Sequence, residues 1–398
     1  MDPSLRSCLT QTLPFDFVER IPLTNSDEFR SWIIHEDSRY VALDKPGWIV
    51  VHPSKQGPYS SLVGAMKLHT QMSTAYVVGR LDRETSGVTL FTKAAEHVHY
   101  TVIQQKVYIT ILKGEMDLSR GEVVVDVPLT RQPDSLSRVK FCTLNHRHGT
   151  TTDGESDDEG EDAESMSSDT TNGDPAEGIA GAAGSAGKVV AKCKRSLTRF
   201  LPILVRNGFT ICRVYPKTGR LHQIRLHSMA ISGGIVGDKM YGCDFSLFNE
   251  FAKTGLSDQM WNTLEMPRHA LHCESITFEA TEVKDETDPE RIKAHGDRQQ
   301  AAYEKKMTAR RQRDLEKGLP PNPRAPEDPA PHFIFTRMRS KVQTQHTFVS
   351  PLPLDMVIFS HLRMGVSLKE LHSLGLLRDP ETVRATIDVM LETAKSQS

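Results

Sequence analysis

The densest set of chemically active side chains lies in one polar stretch, Gly79 to Gly87, between two apolar runs typical of strands. Its centre is Asp82, which Arg80 and Arg83 flank. Two neighbouring guanidinium groups favour the charged form of a carboxylate. An ionised carboxylate in a loop can act as a nucleophile or as a general base. A loop held in shape by surface ion pairs explains the same residues, because structural pairs also favour ionisation.

A second polar stretch, residues 217–227, reads KTGRLHQIRLH and leads from a turn into an amphipathic helix. Helical spacing places Arg225 at the edge of the apolar stripe, where a half-buried guanidinium needs a carboxylate or phosphate partner. The free N–H groups at the start of this helix also suit an anion. A helix with a solvated basic flank is the simpler alternative. His222 and His227 are five residues apart, the wrong spacing for a two-histidine metal site on a helix.

A third stretch, residues 106–114 (KVYITILKG), alternates as a strand does. The alternation places Lys106 and Tyr108 on the more polar face, and Val107 and Ile109 on the other. The ring of Tyr108 could there offer a surface on which a nucleobase stacks. Packing in the protein core is the commoner use of such a tyrosine.

The elements that position these stretches follow from the apolar pattern. The pair Asn207-Gly208 predicts a hairpin, and helices are predicted near 60–69 and over 221–232. Residues 1–35 contain strand-like pieces, whereas the tail from about 351 to 395 has helical spacing. Strands are predicted in residues 40–46, 47–53, 74–78, 88–93, 106–114, 121–129, 200–216 and 269–280.

The charge of the chain is unevenly distributed. The formal net charge is −2, but residues 149–187 contain 11 acidic residues and no Lys or Arg. Without them the chain has 40 acidic and 49 basic residues, a formal charge of +9. Such a basic remainder suits a surface that faces phosphates, although ordinary solvated lysines explain it as well. The surrounding segment 147–188 is of low complexity and is predicted to be disordered.

Other composition features narrow the classes of protein. No run approaches the roughly 18 apolar residues of a membrane-spanning helix, and the N-terminus has no apolar region typical of a signal peptide. The six cysteines are scattered, with no C-x-x-C, so neither a disulfide scaffold nor a zinc site is expected. A reduced compartment, cytoplasm or nucleus, is predicted in preference to the mitochondrion.

Taken together and in this order, the three stretches resemble the RluA-type family of RNA pseudouridine synthases. Arg80-Leu81-Asp82 with Thr85-Ser86-Gly87 is similar to that family's catalytic-aspartate motif, and KVYITILKG to its tyrosine strand. TGRLHQIRLH, followed by Gly237-Asp238 and Tyr241-Gly242, is similar to its third motif. VALDKPGWIVVHP and RHALHCESITF resemble its opening and closing segments. The family usually has His before Arg-Leu-Asp, where this chain has Gly79.

The resemblance implies a role for particular residues. Asp82 would be the catalytic aspartate, Arg225 would pair with it, and Tyr108 would pack against the target base. The hydroxyl of Tyr108 would assist proton removal from C5 of that base. Arg80 would probe the RNA near a flipped nucleotide. The resemblance also places three further residues among those that bind the substrate: Thr85, Arg220 and His222.

The resemblance also implies a fold of the α+β class, with a mixed, largely antiparallel sheet, flanking helices and a central RNA-binding cleft. It implies neither metal nor cofactor, and it implies structured tRNA or rRNA as the partner. No membrane is expected from the apolar pattern, and a monomer is the default expectation. Four parts are predicted: a leader (1–34), a catalytic domain (35–280) that the insert interrupts, a charged helix at 289–317 with a Pro-rich linker (281–331), and a largely helical C-terminal segment (332–398).

Two other functions fit the same residues. The first is a weak or inactive enzyme that works as an RNA-binding or RNA-chaperone protein on the same fold. The second is a hydrolase acting on sugars or nucleotides with Asp82 and Glu84 as paired carboxylates. Two carboxylates at this spacing in a loop need not face one cleft, and no Gly-rich phosphate loop accompanies them.

Overall fold

The computed structural model describes residues 1–13, 25–52, 60–131, 141–143, 194–243, 254–285 and 339–397, with isolated helical positions between 248 and 251 and between 290 and 316. The predicted disordered insert 147–188 lies outside these residues, as does the Pro-rich linker. The predicted charged helix 289–317 is described only in part. The division of the chain into four parts therefore stays a prediction.

The described residues form strands and helices along the whole chain. The strands are β1 (Ile33–Glu36), β2 (Tyr40–Lys45), β3 (Tyr76–Val78), β4 (Ser86–Thr92), β5 (Thr101–Lys113), β6 (Val123–Asp126), β7 (Leu129–Arg131), β8 (Phe141–Thr143), β9 (Leu197–Arg206), β10 (Phe209–Pro216), β11 (Leu271–Asp285) and β12 (Arg339–Val349). The helices are α1 (Pro3–Gln11), α2 (Ser26–Ser31), α3 (Leu62–Thr70), α4 (Ala95–His99), α5 (Gln223–Ile231), α6 (Asp258–Leu264), α7 (Leu354–Ile358), α8 (Leu368–Ser373) and α9 (Pro380–Gln397).

Ten of these strands form one mixed sheet. The main path runs β1-β2-β4-β11-β5-β10-β9-β6, with β3 paired to β4 and β12 paired to β11. Only the short β4–β11 contact is parallel, at His272 beside Ser86 and at Cys273 beside Gly87. A Cβ on Gly87 would lie 2.2 Å from the carbonyl oxygen of Cys273, so this contact needs glycine. The predicted mixed, largely antiparallel sheet with helices is confirmed.

The predicted hairpin is formed by β9 and β10. Its two turn residues, Asn207 and Gly208, have φ of 51° and 83°, the left-handed region that a two-residue hairpin turn requires. On its other edge, β10 pairs with β5, and Val214 lies opposite Tyr108. The hairpin therefore brings the end of β10, and the polar stretch that follows it, to the tyrosine strand.

The first residues are helical, so the prediction of strand-like pieces there is wrong for α1. Asp2 accepts hydrogen bonds from the N–H groups of Ser4 and Leu5, and Pro3 occupies the first turn, as helix starts favour. Leu5 and Leu9 are 2% and 0% exposed because they join the core. The N-terminal helix thus packs as part of the folded body; the Nε2 of Gln11 even donates to the carbonyl of Met390 in α9.

The C-terminal segment is built into the same core. Its helices α7 to α9 were expected, but β12 was not: it pairs with β11 from Val349 opposite Ser275 to Arg339 opposite Asp285. After α7 the chain makes a π-helical turn, in which the ring of Phe359 meets Phe209 edge-on at 5.2 Å. Arg206 holds Glu370 of α8 through two hydrogen bonds of 2.9 and 3.0 Å.

Candidate active site

A cleft of about 810 Å³ collects the three polar stretches. Its walls come from residues 50–52, 79–83, 85, 103–106, 108 and 215–225, together with Leu271. Among the lining residues Asp82 is the one acidic side chain. Six basic side chains surround it: Arg80, Arg83, Lys106, Lys217, Arg220 and Arg225. The cleft therefore attracts an anionic molecule and presents a single carboxylate to it.

Asp82 lies in the loop between β3 and β4, and its side chain is 25% exposed to the cleft. Two buried cations hold the loop from behind. The ammonium of Lys45 donates to the carbonyl of Arg83 at 2.7 Å, and the guanidinium of Arg268 donates to the carbonyl of Glu84 at 2.9 Å. The backbone carbonyls of the two residues after Asp82 are thus fixed, so a rigid loop presents the carboxylate.

Lys45 is unusual because it is fully buried without a carboxylate in hydrogen-bond contact. Its ammonium donates to three backbone carbonyls, those of Pro46, Ile49 and Arg83, at 2.7 to 2.9 Å. Burial lowers the pKa of Lys45 well below its usual value. Three carbonyl acceptors satisfy the three donors of an ammonium, which is how a buried lysine can be kept.

Arg225 links Asp82 to a second carboxylate. Its Nη1 donates to Oδ2 of Asp82 at 3.2 Å, while its Nε and Nη2 donate to both oxygens of Asp238 at 2.7 and 2.8 Å. Burial alone would raise the pKa of Asp238, but Arg225 outweighs it and lowers that pKa far below its usual range. The permanently charged guanidinium is therefore held in place by Asp238 and faces Asp82 with its remaining N–H.

His222 completes the surroundings of Asp82. Its Nε2 is 3.8 Å from Oδ2 of Asp82, and its Nδ1 is 2.9 Å from the hydroxyl of Tyr241. Burial and then the Arg225 guanidinium lower the pKa of His222 to about 4. The imidazole is therefore neutral near pH 7, and the permanent positive charge beside Asp82 comes from Arg225.

No ion pair joins Asp82 to its neighbours in sequence within the described part of the chain. Arg80 and Arg83 are both exposed, and the partners found within 4.0 Å of the Asp82 carboxylate are Arg225 and His222. The guanidinium that pairs with Asp82 therefore comes from α5, far away in sequence, whereas an influence of the two flanking arginines stays a prediction.

Tyr108 lies in the cleft wall on the central strand β5 and is 7% exposed. Burial, and then the Cys273 thiol beside it, raise the pKa of its hydroxyl well above the usual value. The phenol stays protonated at neutral pH, so it offers the cleft a ring and a neutral hydroxyl rather than a base. The expected help in proton removal stays a prediction.

The other predicted substrate-binding residues occupy different positions. Arg80 and Arg220 are exposed at the cleft, and Nε of Arg220 donates to the carbonyl of Arg195 at 3.4 Å. Thr85 is 1% exposed, and its hydroxyl is 2.8 Å from Nε2 of His269. Its hydroxyl is thus already bonded inside the protein, so Thr85 supports the loop in this structure.

Glu84 does not belong to the cleft lining. Its Oε1 accepts from the ammonium of Lys239 at 2.7 Å, and its Oε2 accepts from the backbone N–H of His269 at 3.2 Å. Asp82 and Glu84 therefore face different surroundings. This arrangement removes the geometric basis of a hydrolase with these two residues as paired carboxylates.

Several supporting residues were not predicted as site residues. Gln223 is 3% exposed and ties the loop before α5 to β9: its oxygen accepts from the Arg220 N–H and the Thr218 hydroxyl, and its nitrogen donates to Leu197 and Thr198. Asp238 appeared only within a quoted motif. The signal that could have identified Asp238 was the half-buried position predicted for Arg225, because such a guanidinium needs a carboxylate or phosphate partner.

The described residues contain no group of three or more His, Cys, Asp or Glu side chains able to hold a metal ion. Within the same residues, no helix is long and apolar enough to cross a membrane.

Comparison with known proteins agrees with the motifs. A family model described as RNA pseudouridylate synthase matches residues 39–230. Ribosomal large subunit pseudouridine synthase D of Pseudomonas aeruginosa is 27% identical over 259 residues, which cover 62% of this chain and 63% of the relative. The tRNA pseudouridine synthase C of Pasteurella multocida is 28% identical over 219 residues, covering 53% of this chain and 74% of that protein. The chain thus spans less than two thirds of the length of the first of these relatives.

A solved structure titled human RNA Pseudouridylate Synthase Domain Containing 4 is also similar. It covers 63% of this chain and 85% of its own, with 18% sequence identity and a TM-score of 0.40. From the family match over residues 39–230 and the curated relatives, the chain is similar to the RluA-type family of RNA pseudouridine synthases. The resemblance inferred from the three motifs is thereby confirmed at the level of the family.

Proposed function

We propose that this protein isomerises specific uridines in tRNA or rRNA to pseudouridine, with Asp82 as the catalytic residue. The observation that carries the proposal is the single carboxylate of a basic cleft, paired with a buried arginine that a second carboxylate holds. The family match and the names of the relatives support the same chemistry.

The reaction requires that the bond from C1′ to N1 of the uridine breaks and that C1′ joins C5. The proton on C5 is lost to solvent, and N1 ends with a proton. A uridine must first leave its stack, at a cost of roughly a few kcal/mol, which contacts between the basic cleft and the backbone offset. Asp82, whose carboxylate accepts a hydrogen bond from the guanidinium of Arg225, then attacks the sugar or removes a proton from it. The ring of Tyr108 packs against the base.

The products distinguish this function from its rivals. RNA from cells that lack the protein is incubated with it, digested to nucleosides and separated by chromatography. The proposal predicts that uridine is converted to pseudouridine within the RNA and that no free uracil appears. Release of uracil would indicate a hydrolase, and binding without either product would indicate an RNA chaperone.

We further propose that the protein acts as a monomer in the cytoplasm or the nucleus. Three cysteines among the described residues, Cys8, Cys212 and Cys273, are free thiols, which agrees with a reducing compartment.

The buried pair of Arg268 with Asp355 predicts that the C-terminal segment supports the catalytic loop. Arg268 donates to the Glu84 carbonyl and, through Nε and Nη2, to both oxygens of Asp355 in α7. We expect Asp355→Asn to lower the free energy of unfolding by about 3 kcal/mol. It should also reduce kcat roughly tenfold with little change in KM, because the loop loses its fixed position.

The matched control is Glu370→Gln, which weakens the half-exposed pair with Arg206 in the same C-terminal segment. It should cost less than about 1 kcal/mol and leave kcat unchanged. Denaturant unfolding and steady-state kinetics of the two variants test this. An Asp355→Asn protein with normal kcat at a temperature where it is folded would show that Asp355 has no influence on the loop.

A further inference from the structure

Lys106 is a cation of the cleft wall for which the proposed reaction has no assigned use. It lies two residues before Tyr108 on β5, so both side chains project from the same face of the strand. Both line the cleft. Lys106 is partly buried, whereas the exposed cations Arg80, Lys217 and Arg220 lie where water solvates them.

No carboxylate neutralises Lys106 within the described part of the chain. The ion pairs found there use other cations, and no carboxylate contributes to the pKa shift of Lys106. Burial lowers the pKa of its ammonium. The titratable group that acts on it is the Cys273 thiol, whose own pKa burial raises to about 12, so that thiol is neutral. A partly buried cation without a counter-ion is costly, and an anionic ligand would relieve the cost.

Gly79 leaves the space that the ammonium of Lys106 occupies. Its φ is +83°, and a Cβ built on it would lie 2.4 Å from Nζ of Lys106 and 3.2 Å from its Cε. Any larger residue at position 79 would displace the ammonium.

We propose that Lys106 binds a phosphate of the RNA strand next to the target uridine, and that Gly79 keeps its ammonium at that place in the cleft. Phosphate is the anionic group of RNA, and an ammonium on a flexible stem binds it as a point charge. Gly79 lies three residues before Asp82 in the loop. Lys106 lies on the cleft wall that carries Tyr108. A phosphate held there would position the backbone while the base enters the pocket. This inference rests on the proposed function.

The test measures how the salt concentration changes the Kd of a fluorescent ten-nucleotide oligouridylate for the full chain. Each phosphate contact that is lost should reduce the slope of log Kd against log salt by about 0.7 for a single strand. We expect Lys106→Met to weaken binding about tenfold at low salt and to reduce the slope by this amount. Lys106→Arg should preserve the slope. The control Lys369→Met removes an exposed lysine of α8 that does not line the cleft and should preserve both quantities.

A second variant tests the role of Gly79. Gly79→Ala should weaken binding about as much as Lys106→Met does, and the double variant should be no weaker than either single variant, because both remove one contact. Melting temperatures of all variants show whether they are folded. A Lys106→Met protein that is folded and has the slope of the wild type would overturn the proposal, as would additive effects of the two substitutions.

Pseudouridine formation by the wild type is scored separately, on RNA from cells that lack the protein. Suppose that the wild type forms no pseudouridine, while Lys106→Met reduces the salt slope by the amount of one phosphate contact. This result would refute the proposed function and would still support the phosphate site. If the wild type forms pseudouridine but Lys106→Met has the salt slope of the wild type, the proposed function is supported and the phosphate site is refuted. A wild type that does not bind the oligouridylate at low salt would also overturn the phosphate site.

Discussion

Asp82→Asn is expected to reduce pseudouridine formation by about 10³-fold or more while the affinity for RNA stays within about threefold of the wild type. The amide has nearly the shape of the carboxylate and can still accept a hydrogen bond from Arg225, so the loop should keep its position. It is neutral, and it is neither an effective nucleophile nor a base. Chromatography of nucleosides measures the product, and fluorescence anisotropy measures binding.

The matched control for this substitution is Asp388→Asn, because Asp388 is exposed on α9 and does not line the cleft. It should change neither quantity. Equal losses of binding and of product in Asp82→Asn would contradict the catalytic assignment, because they would show that Asp82 acts in RNA binding or in folding.

The second large effect is expected at Arg225, which is 7% exposed and serves two carboxylates. Arg225→Met should lower the free energy of unfolding by about 3–5 kcal/mol, since it leaves the charge of Asp238 buried without its counter-ion. It should also lower product formation by about 10²-fold or more, because Asp82 loses the permanent positive charge beside it. Denaturant unfolding and product formation are measured on the same preparation.

A double variant separates the two roles of Arg225. In Arg225→Met with Asp238→Asn the buried charge of Asp238 is removed as well, and the amide oxygen can still accept from the N–H groups of Met240 and Tyr241. We expect it to recover about 2 kcal/mol of the lost stability and none of the activity. Activity that returns together with stability would show that Arg225 matters only for folding.

Local signals predicted much of the fold. Asn207-Gly208 predicted its hairpin because a two-residue turn with positive φ has few sequence solutions. The alternation in β5 and the apolar stripe of α5 were also predicted, because both patterns come from residues close together in sequence. The strand β12 was missed because its outer edge is solvated: residues 341–349 are mostly polar and exposed, and their pairing with β11 depends on contacts distant in sequence.

The site shows the same division between local and long-range information. The sequence indicated Asp82, Tyr108 and Arg225 as chemically active positions, and the need of Arg225 for a carboxylate. It could not show that Glu84 turns towards Lys239 and away from the cleft, because side-chain direction in a loop is set by tertiary contacts.

The residues that support the Asp82 loop could not be predicted for the same reason. Lys45 and Arg268 lie in segments far from Asp82 in sequence, and each donates to a carbonyl of its loop. Every residue type has a backbone carbonyl that can accept a hydrogen bond, so the pattern of side chains could not predict these bonds. The pair of Arg268 with Asp355 was even less visible, since Asp355 lies outside the resemblance.

The most direct test of the central claim is release of tritium from RNA labelled at C5 of uridine. RNA from cells that lack the protein is incubated with the wild type and with Asp82→Ala side by side. Isomerisation requires that C5 loses its hydrogen, so the account predicts tritium release by the wild type and none above background by Asp82→Ala. Equal release by both proteins would contradict the assignment of Asp82. No release by the wild type, with RNA still bound, would contradict the proposed isomerase.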